Sequence, residues 1–328
     1  MFRIPRTLIV VALLSAGACN DAPTRPMPNA PAAVSGPSLG ANVGGNNRRI
    51  LFASDRDAPG NFEIYSMNPD GSGIARLTNS AGPDVAPAWS PDGKRIAFVS
   101  LRHDSFGEIY VMNADGTGVR RVTESDGIDT SPTWSKDGKR IAFVSMRNDP
   151  FGDIYTVNDD GSDVSRVTDY AGADAEPSWS ADGKQIAFVS DRDGLSDLTT
   201  DLYVVTLDNR QVSRLTNEAL DVDVREPSWA PGGKQIAYST SYDSGDDAIL
   251  TSDVFVINVD DRLITRLTDG PGTAVQDLAP SWSPDGKQIA YVSIRGGNSE
   301  IFIMNADGNS VSRLTTSTAN DVSPAWNR

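Results

Sequence analysis

The stretch Pro280-Ser281-Trp282-Ser283-Pro284-Asp285-Gly286-Lys287-Gln288-Ile289-Ala290-Tyr291-Val292-Ser293 places a turn signal between two hydrophobic segments. Glycine adopts positive φ without steric cost, so Asp285-Gly286 predicts a two-residue hairpin turn. The run from Ile289 is short and apolar, which is typical of a strand buried on both faces. Trp282, before the turn, supplies a large apolar surface. The stretch therefore predicts a β-hairpin.

The same pattern recurs at residues 87–100, 132–145, 177–190 and 227–240, and a truncated copy occupies residues 324–328. Each copy contains one of the six tryptophans of the chain, which are Trp89, Trp134, Trp179, Trp229, Trp282 and Trp326. The spacing between them is 44 to 53 residues. A repeat of this length that is built of strands predicts the blades of a β-propeller.

Two more strands follow each hairpin. The first resembles Ile109-Tyr110-Val111-Met112-Asn113, and the second ends in a motif such as Arg121-Val122-Thr123. The four strands of a blade are named A, B, C and D. The repeats start with strands B, C and D alone (residues 49–78) and finish with a lone strand A at Trp326. We therefore expect an all-β, six-bladed propeller of four-stranded antiparallel blades, closed by a 3+1 overlap of the terminal strands, which leaves no exposed sheet edge.

The repeat Pro-x-Trp-Ser-Pro-Asp-Gly-Lys-x-Ile-Ala-Phe-x-Ser, with Ile-Tyr-x-Met-Asn-x-Asp-Gly and Arg-Leu-Thr, resembles the WD-like propeller repeat of the TolB family over residues 48–328. The resemblance implies a periplasmic, non-enzymatic scaffold that binds other envelope proteins. It further implies that a peptidoglycan-associated lipoprotein or a Tol-type energy-coupling protein is a partner. We expect a monomer that needs no cofactor.

The N-terminus predicts export. Residues 1–18 contain Arg3 and Arg6 followed by a seven-residue apolar core, as in a signal peptide. The sequence Ala16-Gly17-Ala18-Cys19 is compatible with a lipobox that makes Cys19 the lipidated first residue, or with cleavage to a soluble protein at the same bond. We favour the lipoprotein, anchored in a bacterial envelope membrane, which the resemblance implies is the outer membrane. Residues 19–47 are rich in Pro, Ala, Gly and Asn and predict a flexible tether.

The charge of the chain bears on its partners. The formal net charge is −15 at pH 7, and no basic patch is evident in the sequence. Nucleic acid and close contact with anionic lipid are therefore disfavoured, whereas basic partners remain open.

The connections between strands fall at two ends of the predicted propeller. The A–B and C–D turns are nearly uniform, whereas the B–C and D–A loops vary, and recognition usually belongs to variable loops on a rigid scaffold. The longest B–C loops are predicted at residues 191–200 and 241–252. A partner site is predicted beside the second loop, at Val224, Arg225, Tyr242, Asp243, Asp246 and Asp247. Solvated acidic loops without a role remain the alternative.

Two periodic sets of charged residues accompany the tryptophans. Aspartates lie five residues before Trp, and arginines lie thirteen residues after it. The Trp229 repeat has Val224 and Tyr242 at these positions. Because the two sets share this exception, we expect ion pairs within blades. The pairs are Asp84–Arg102, Asp129–Arg147, Asp174–Arg192, Asp277–Arg295 and Asp321–Arg56. The alternative is an aspartate ring that binds cations at the channel mouth.

The sequence offers little for catalysis. His103 is the only histidine, Cys19 is the only cysteine, and no Gly-x-Ser-x-Gly motif is present. Polysaccharide lyases and hydrolases of propeller fold, or a glycan-binding module, are the alternatives to the scaffold. The lyases use several histidines around a metal, and this chain has one. The Asp-x-Asp pairs at Asp55 and Asp191 raise Ca²⁺ binding as a minor possibility, because Ca²⁺ requires six to eight oxygen ligands.

Overall fold

The computed structural model describes residues 48–103, 105–193, 199–217, 222–243, 250–269 and 275–327, with the backbone alone at Tyr242, Asp243 and Leu250. These residues form 24 β-strands and no helix. The predicted signal peptide, Cys19 and the tether lie outside the described residues, and so do Asp246 and Asp247.

The strands follow the predicted order A, B, C, D, and each sheet is named here by the tryptophan of its strand A. The Trp326 sheet contains β1 (Ile50–Ser54), β2 (Glu63–Met67), β3 (Ala75–Arg76) and, from the end of the chain, β24 (Asp321–Trp326). The other sheets are the Trp89 sheet, with β4 (Asp84–Trp89), β5 (Arg95–Ser100), β6 (Glu108–Asn113) and β7 (Arg120–Arg121); the Trp134 sheet, with β8 (Asp129–Trp134), β9 (Arg140–Ser145), β10 (Asp153–Asn158) and β11 (Ser165–Arg166); the Trp179 sheet, with β12 (Asp174–Trp179), β13 (Gln185–Ser190), β14 (Asp201–Thr206) and β15 (Val212–Arg214); the Trp229 sheet, with β16 (Val222–Trp229), β17 (Gln235–Asp243), β18 (Leu250–Asn258) and β19 (Ile264–Arg266); and the Trp282 sheet, with β20 (Gln276–Trp282), β21 (Gln288–Ile294), β22 (Ser299–Asn305) and β23 (Ser312–Arg313).

Neighbouring strands within each of these sheets pair antiparallel. The last strand, β24, pairs with β1, where Trp326 lies opposite Ile50 and Asp321 lies opposite Ser54. One sheet therefore has the order β24-β1-β2-β3. The Trp229 and Trp282 sheets are joined by a single parallel pair between Ser252 and Gln276. Strand A of each sheet contacts strand A of the next: β4 with β8, β8 with β12, β12 with β16, β16 with β20, β20 with β24, and β24 with β4.

The A–B turn is longer than the two residues that the Asp-Gly signal predicts. Five residues separate Trp282 from β21, and Gly286 has a φ of 67°. The Ser283 hydroxyl donates to Asp285 at 2.7 Å and accepts the Gln288 N–H at 2.9 Å. These side-chain bonds stabilise a wider turn, since serine and aspartate readily hydrogen-bond to nearby backbone groups.

Every strand A contains a bulge three residues before its tryptophan. The pairing of β4 with β5 shifts register between Val85 and Ala88. The bulged residues all have left-handed φ angles of 49° to 55°, and they are Ala86, Ser131, Glu176, Glu226, Ala279 and Ser323. Left-handed backbone is costly for residues other than glycine and persists where the surroundings fix it. The bulge turns these six positions toward the centre, where the strands A meet.

The core lies between sheets rather than inside a single sheet. Trp134 is only 2% exposed and packs in one cluster with Ile96 and Met112 of the Trp89 sheet. Its indole N–H donates to the Ala88 carbonyl at 3.2 Å, and the Arg95 guanidinium lies 4.7 Å from the ring centre. Each tryptophan is similarly buried, so apolar contact between successive sheets is the main source of stability.

Replacing Trp134 by Ala should lower the free energy of unfolding by about 3–5 kcal/mol, because it opens a cavity between two sheets. Phe151→Ala is the matched control. Its side chain is 44% exposed, and its loss should change stability by less than about 0.5 kcal/mol. Urea unfolding of both variants measures the difference. If Trp134→Ala lowered the free energy of unfolding as little as the control does, the sheets would not depend on this contact.

Candidate functional site

The predicted aspartates and arginines contact each other within five of the six sheets. The nitrogen–oxygen distance is 2.8 Å for Arg102–Asp84 and for Arg147–Asp129, 2.7 Å for Arg192–Asp174 and 2.9 Å for Arg56–Asp321. Arg295–Asp277 is looser, at 3.7 Å. The five carboxylates are almost completely buried.

The ion pair between Asp84 and Arg102 does not join residues that lie opposite each other in the hairpin. Asp84 faces Ser100, and Arg102 reaches back over the strand end. The Ser100 hydroxyl donates to Asp84 at 2.5 Å and accepts from Arg102 Nε at 2.8 Å. The Arg102 guanidinium stacks against Phe98 and Tyr110. Burial raises the pKa of Asp84 to about 6, although Arg102 lowers it.

The Trp229 sheet replaces this pair with different contacts. Val224 takes the aspartate position, lies opposite Thr240 and is fully buried, so the prediction that it contacts a partner is wrong. Arg225 lies within β16, and its guanidinium nitrogen lies 3.3 Å from an Asp223 carboxylate oxygen. Of Tyr242 and Asp243, the structure describes the backbone in β17, and Asp246 and Asp247 lie outside the described residues.

Both ends of the predicted loop 241–252 lie in strands. β17 continues to Asp243 and β18 begins at Leu250, with Asp243 opposite Leu250. Both strands have nine residues, whereas the B and C strands of the other sheets have five to seven. The hairpin therefore projects beyond the end at which the B–C and D–A loops lie, which we call the loop end.

A second set of ion pairs, which the sequence analysis missed, occurs in all six sheets. It joins an acidic residue at the start of strand C to the arginine of strand D. Arg121 contacts Glu108 at 2.9 Å, and the Thr123 hydroxyl donates to the same carboxylate at 2.5 Å. The other pairs are Arg76–Glu63, Arg166–Asp153, Arg214–Asp201, Arg266–Asp253 and Arg313–Glu300. The repeated Arg-x-Thr motif was the available signal. Because this set has no exception, it is structural.

The strands A enclose an axial cavity of about 230 Å³, lined by the bulges and by the Pro-x-Trp segments. Small residues occupy four of the six bulge positions, and Glu176 and Glu226 occupy the other two, in neighbouring sheets. Glu176 Oε2 accepts the Glu226 N–H at 2.5 Å. Glu226 Oε2 accepts the Ala279 N–H at 2.6 Å and the Ser239 hydroxyl at 3.0 Å.

The environment of Glu176 changes the proton affinity of its carboxylate. Burial, followed by repulsion from Glu226, raises the pKa of Glu176 to about 7. Sequence reasoning did not predict that Glu176 and Glu226 meet. The departure from the small residues of the other bulges was the signal.

The other candidate residues are engaged in structural contacts. His103 Nδ1 bonds to the Tyr110 hydroxyl. Asp57 accepts from the Tyr65 hydroxyl and contacts Arg76, and Asp193 accepts from the Tyr203 hydroxyl. Within the described ranges, no group of three or more His, Cys, Asp or Glu side chains is arranged to hold a metal ion. The part of the chain that the structure describes also contains no helix long and apolar enough to cross a membrane.

The repeat matches a known family over more than half of the chain. The model of the TolB beta propeller domain matches residues 76–168 and 225–328. The chain belongs to the TolB β-propeller family. A TolB homolog of Chlorobium luteolum is 46% identical over 43 residues, which are 13% of this chain and 10% of that protein. The stretches shared with the first curated relatives span a quarter or less of those proteins.

Solved structures extend the likeness to most of the chain. TolB of Acinetobacter baumannii has a TM-score of 0.71 and 25% identity, over 85% of this chain and 66% of that one. An oligogalacturonate lyase bound to manganese has a TM-score of 0.55 and 13% identity, over 81% of this chain and 73% of that one, which shows a likeness of fold alone.

Glu176→Gln should make stability less dependent on pH. Because the folded-state pKa of about 7 exceeds the usual 4.5, the native state binds the proton more tightly than the unfolded state does. The wild type should lose stability as the pH rises from 4.5 through 7. The variant, which keeps a neutral acceptor, should lose roughly 1–2 kcal/mol less over this range. Urea unfolding at pH 5 and pH 7.5 measures the effect, and Ser131→Ala is the control at an uncharged bulge. Equal slopes for the wild type and both variants would contradict it.

Proposed function

We propose that this protein is a non-enzymatic scaffold of the bacterial envelope that binds other proteins. The projecting β17–β18 hairpin carries this proposal. Two to four extra residues per strand extend it by roughly 7–14 Å beyond the other sheets. The Ser252–Gln276 pair holds its base against the Trp282 sheet. A hairpin fixed on a rigid scaffold is well suited to contact a partner, because little order is lost on binding.

The hairpin belongs to the sheet that departs from the repeat in its charged contacts. Arg225 and Asp223 lie on β16 beside it, and β17 carries Tyr242 and Asp243 to its end. These residues, with Asp246 and Asp247, form the proposed partner site. Val224 lies beneath it and supports β17 by burial.

We also infer a six-bladed ring that β24 closes. Each blade has strands A to D, and the Trp326 blade takes its strand A from the end of the chain. The succession of contacts between the strands A, which returns from β24 to β4, supports this arrangement. A ring without a free edge suits a scaffold that meets its partners at its ends.

Envelope location and partners are proposed by likeness to TolB. Residues 1–18 would direct export, and Cys19 would carry the lipid at the start of a tether over residues 19–47. The partners would be envelope proteins such as a peptidoglycan-associated lipoprotein or a Tol-type protein, bound by a monomer without a cofactor.

Shortening the hairpin tests the partner site. Replacing residues 242–251 by Asn-Gly should close it at the Ser241–Ser252 pair with a favourable two-residue turn. We expect this variant to fold and to lose at least about tenfold in affinity for an envelope protein captured by the wild type, which corresponds to ~1.4 kcal/mol.

The matched control replaces residues 194–198, in the B–C connection of the neighbouring sheet, by Gly-Ser-Gly and should bind as the wild type does. Undiminished binding by the shortened hairpin would contradict the proposed site. Calorimetric titration of both variants with the captured protein gives the comparison.

Cys19→Ala tests the anchor. A single lipid-modified residue would be the membrane attachment, so the variant should move from the membrane fraction to the soluble periplasmic fraction. Cys19→Ser is the matched variant and should do the same. A wild type that is already soluble and carries no lipid would favour the alternative cleavage of the leader.

A further inference from the structure

All six lysines of the chain lie in the A–B turns. Five of them occupy the same place in successive turns, and the sixth lies earlier within the second turn. They are Lys94, Lys136, Lys139, Lys184, Lys234 and Lys287. The chain carries 44 acidic residues against 29 basic ones, so this concentration of lysine at one end opposes the overall charge.

The A–B turns lie next to one another around the axis. A methyl group added to Gly183 would touch Lys136 Cβ at 3.6 Å, and one added to Gly233 would touch Ala181 Cβ at the same distance. Gly138 and Gly286 similarly face Pro91 and Pro231 of the preceding turns. Pro91 also lines the axial cavity. The turns 90–94, 135–139, 180–184, 230–234 and 283–287 therefore form a continuous surface around the cavity, which we call the lysine collar.

The lysines form no ion pair among the described residues, whereas each aspartate of the collar accepts a hydrogen bond from the serine of its own turn. All six lysines are exposed. In contrast, Arg95, which follows the first turn, stacks on Trp134 and pairs with Asp159. Asp92 accepts from the Ser90 hydroxyl and the Lys94 N–H, so it stabilises its own turn.

A concentric pattern of charge surrounds the axis at this end. The collar contains six lysines and four aspartates. The C–D turns lie outside it, because strands C and D are farther from the axis than strands A and B. They contain nine aspartates and two arginines. An extended anionic surface would meet both zones, so attraction at the centre would be offset by repulsion at the rim.

We propose that the lysine collar binds an acidic segment of a partner protein. The inference rests on the proposed protein-binding role and adds a second contact, at the end opposite the hairpin. A narrow segment reaches the lysines without approaching the outer aspartates, whereas a membrane surface does not. Residues 20–47 of this chain are a poor occupant, since they contain one aspartate and one arginine.

The test measures binding of a fluorescent dodecaglutamate peptide to the full chain at low ionic strength. The wild type should bind, and its affinity should fall as salt is added. Changing all six lysines to Gln should raise Kd at least about tenfold, and changing them to Arg should preserve binding, because the charge is retained. The lysine side chains are exposed, so thermal melting of both variants should match the wild type.

A second variant tests whether a loss of binding is caused by the collar lysines or by the change in net charge alone. It carries the same change in charge at exposed neutral positions of the loop end, through A58E, A81E, S105E, A171E, T316E and T318E. Measured at about 0.1 M ionic strength, where the Debye length is about 10 Å, its Kd should stay within about twofold of the wild type, because strands of six residues, roughly 20 Å long, separate these positions from the collar. An equal loss in both charge variants would overturn the proposal, and so would a wild type that does not bind the peptide.

Other occupants give distinct outcomes. If the wild type sediments with phosphatidylglycerol vesicles but does not bind the peptide, the collar binds a membrane surface and the proposal of a partner segment is wrong. Self-association of the full chain that the Gln variant abolishes would assign the collar to the acidic loop end of a second copy. The shortened hairpin should bind the peptide as the wild type does, so a failure of the hairpin proposal leaves the collar test unaffected.

Discussion

The burial of one tryptophan between each sheet and its neighbour is the contact on which the rest of the structure depends. The short sheets have four strands and would be marginal alone, because one face of each would remain exposed. Trp134 fills the space between its own sheet and the Trp89 sheet, and its N–H reaches the neighbouring Ala88 carbonyl. Each tryptophan follows a bulge by three residues, so burying the tryptophan between sheets also places the bulged residue, with its left-handed φ, at the axis.

The buried ion pairs complete the sheets at the loop end. Removing a carboxylate such as Asp84 from water is unfavourable, and its raised pKa records that cost. Ser100 and Arg102 together satisfy its oxygens, and two aromatic rings cover the guanidinium. Such pairs fix geometry more than they add stability. The Trp229 sheet has the buried Val224 in place of the aspartate, and it also carries the long hairpin. The sheet that lacks the ion pair is therefore also the sheet with the longest strands B and C.

The topology of the strands determines at which end of the molecule each charged turn lies. Strands A and C run toward one end of the molecule, and therefore every A–B and C–D turn lies at that end. The A–B turns are the inner ones, so a lysine placed once per repeat becomes part of a central collar. No basic patch is evident along the sequence, because lysines about 45 residues apart do not form a local cluster. Only the rotation of successive sheets about an axis brings them together.

The sequence by itself determined the repeat, its four strands and the positions of the tryptophans, because hydrophobic pattern and turn residues act over a few neighbours. It also predicted the contacts from Asp84–Arg102 to Asp321–Arg56, since two sets with one shared exception indicate pairing. It could not give the five-residue turn at Gly286, which side-chain bonds from Ser283 and Asp285 decide. It likewise missed the continuation of β17 to Asp243, where pairing with β18 overrides a polar sequence. Burial of Val224, the meeting of Glu176 with Glu226 and the lysine collar were decided by tertiary structure alone, because each depends on how separate sheets lie around the axis.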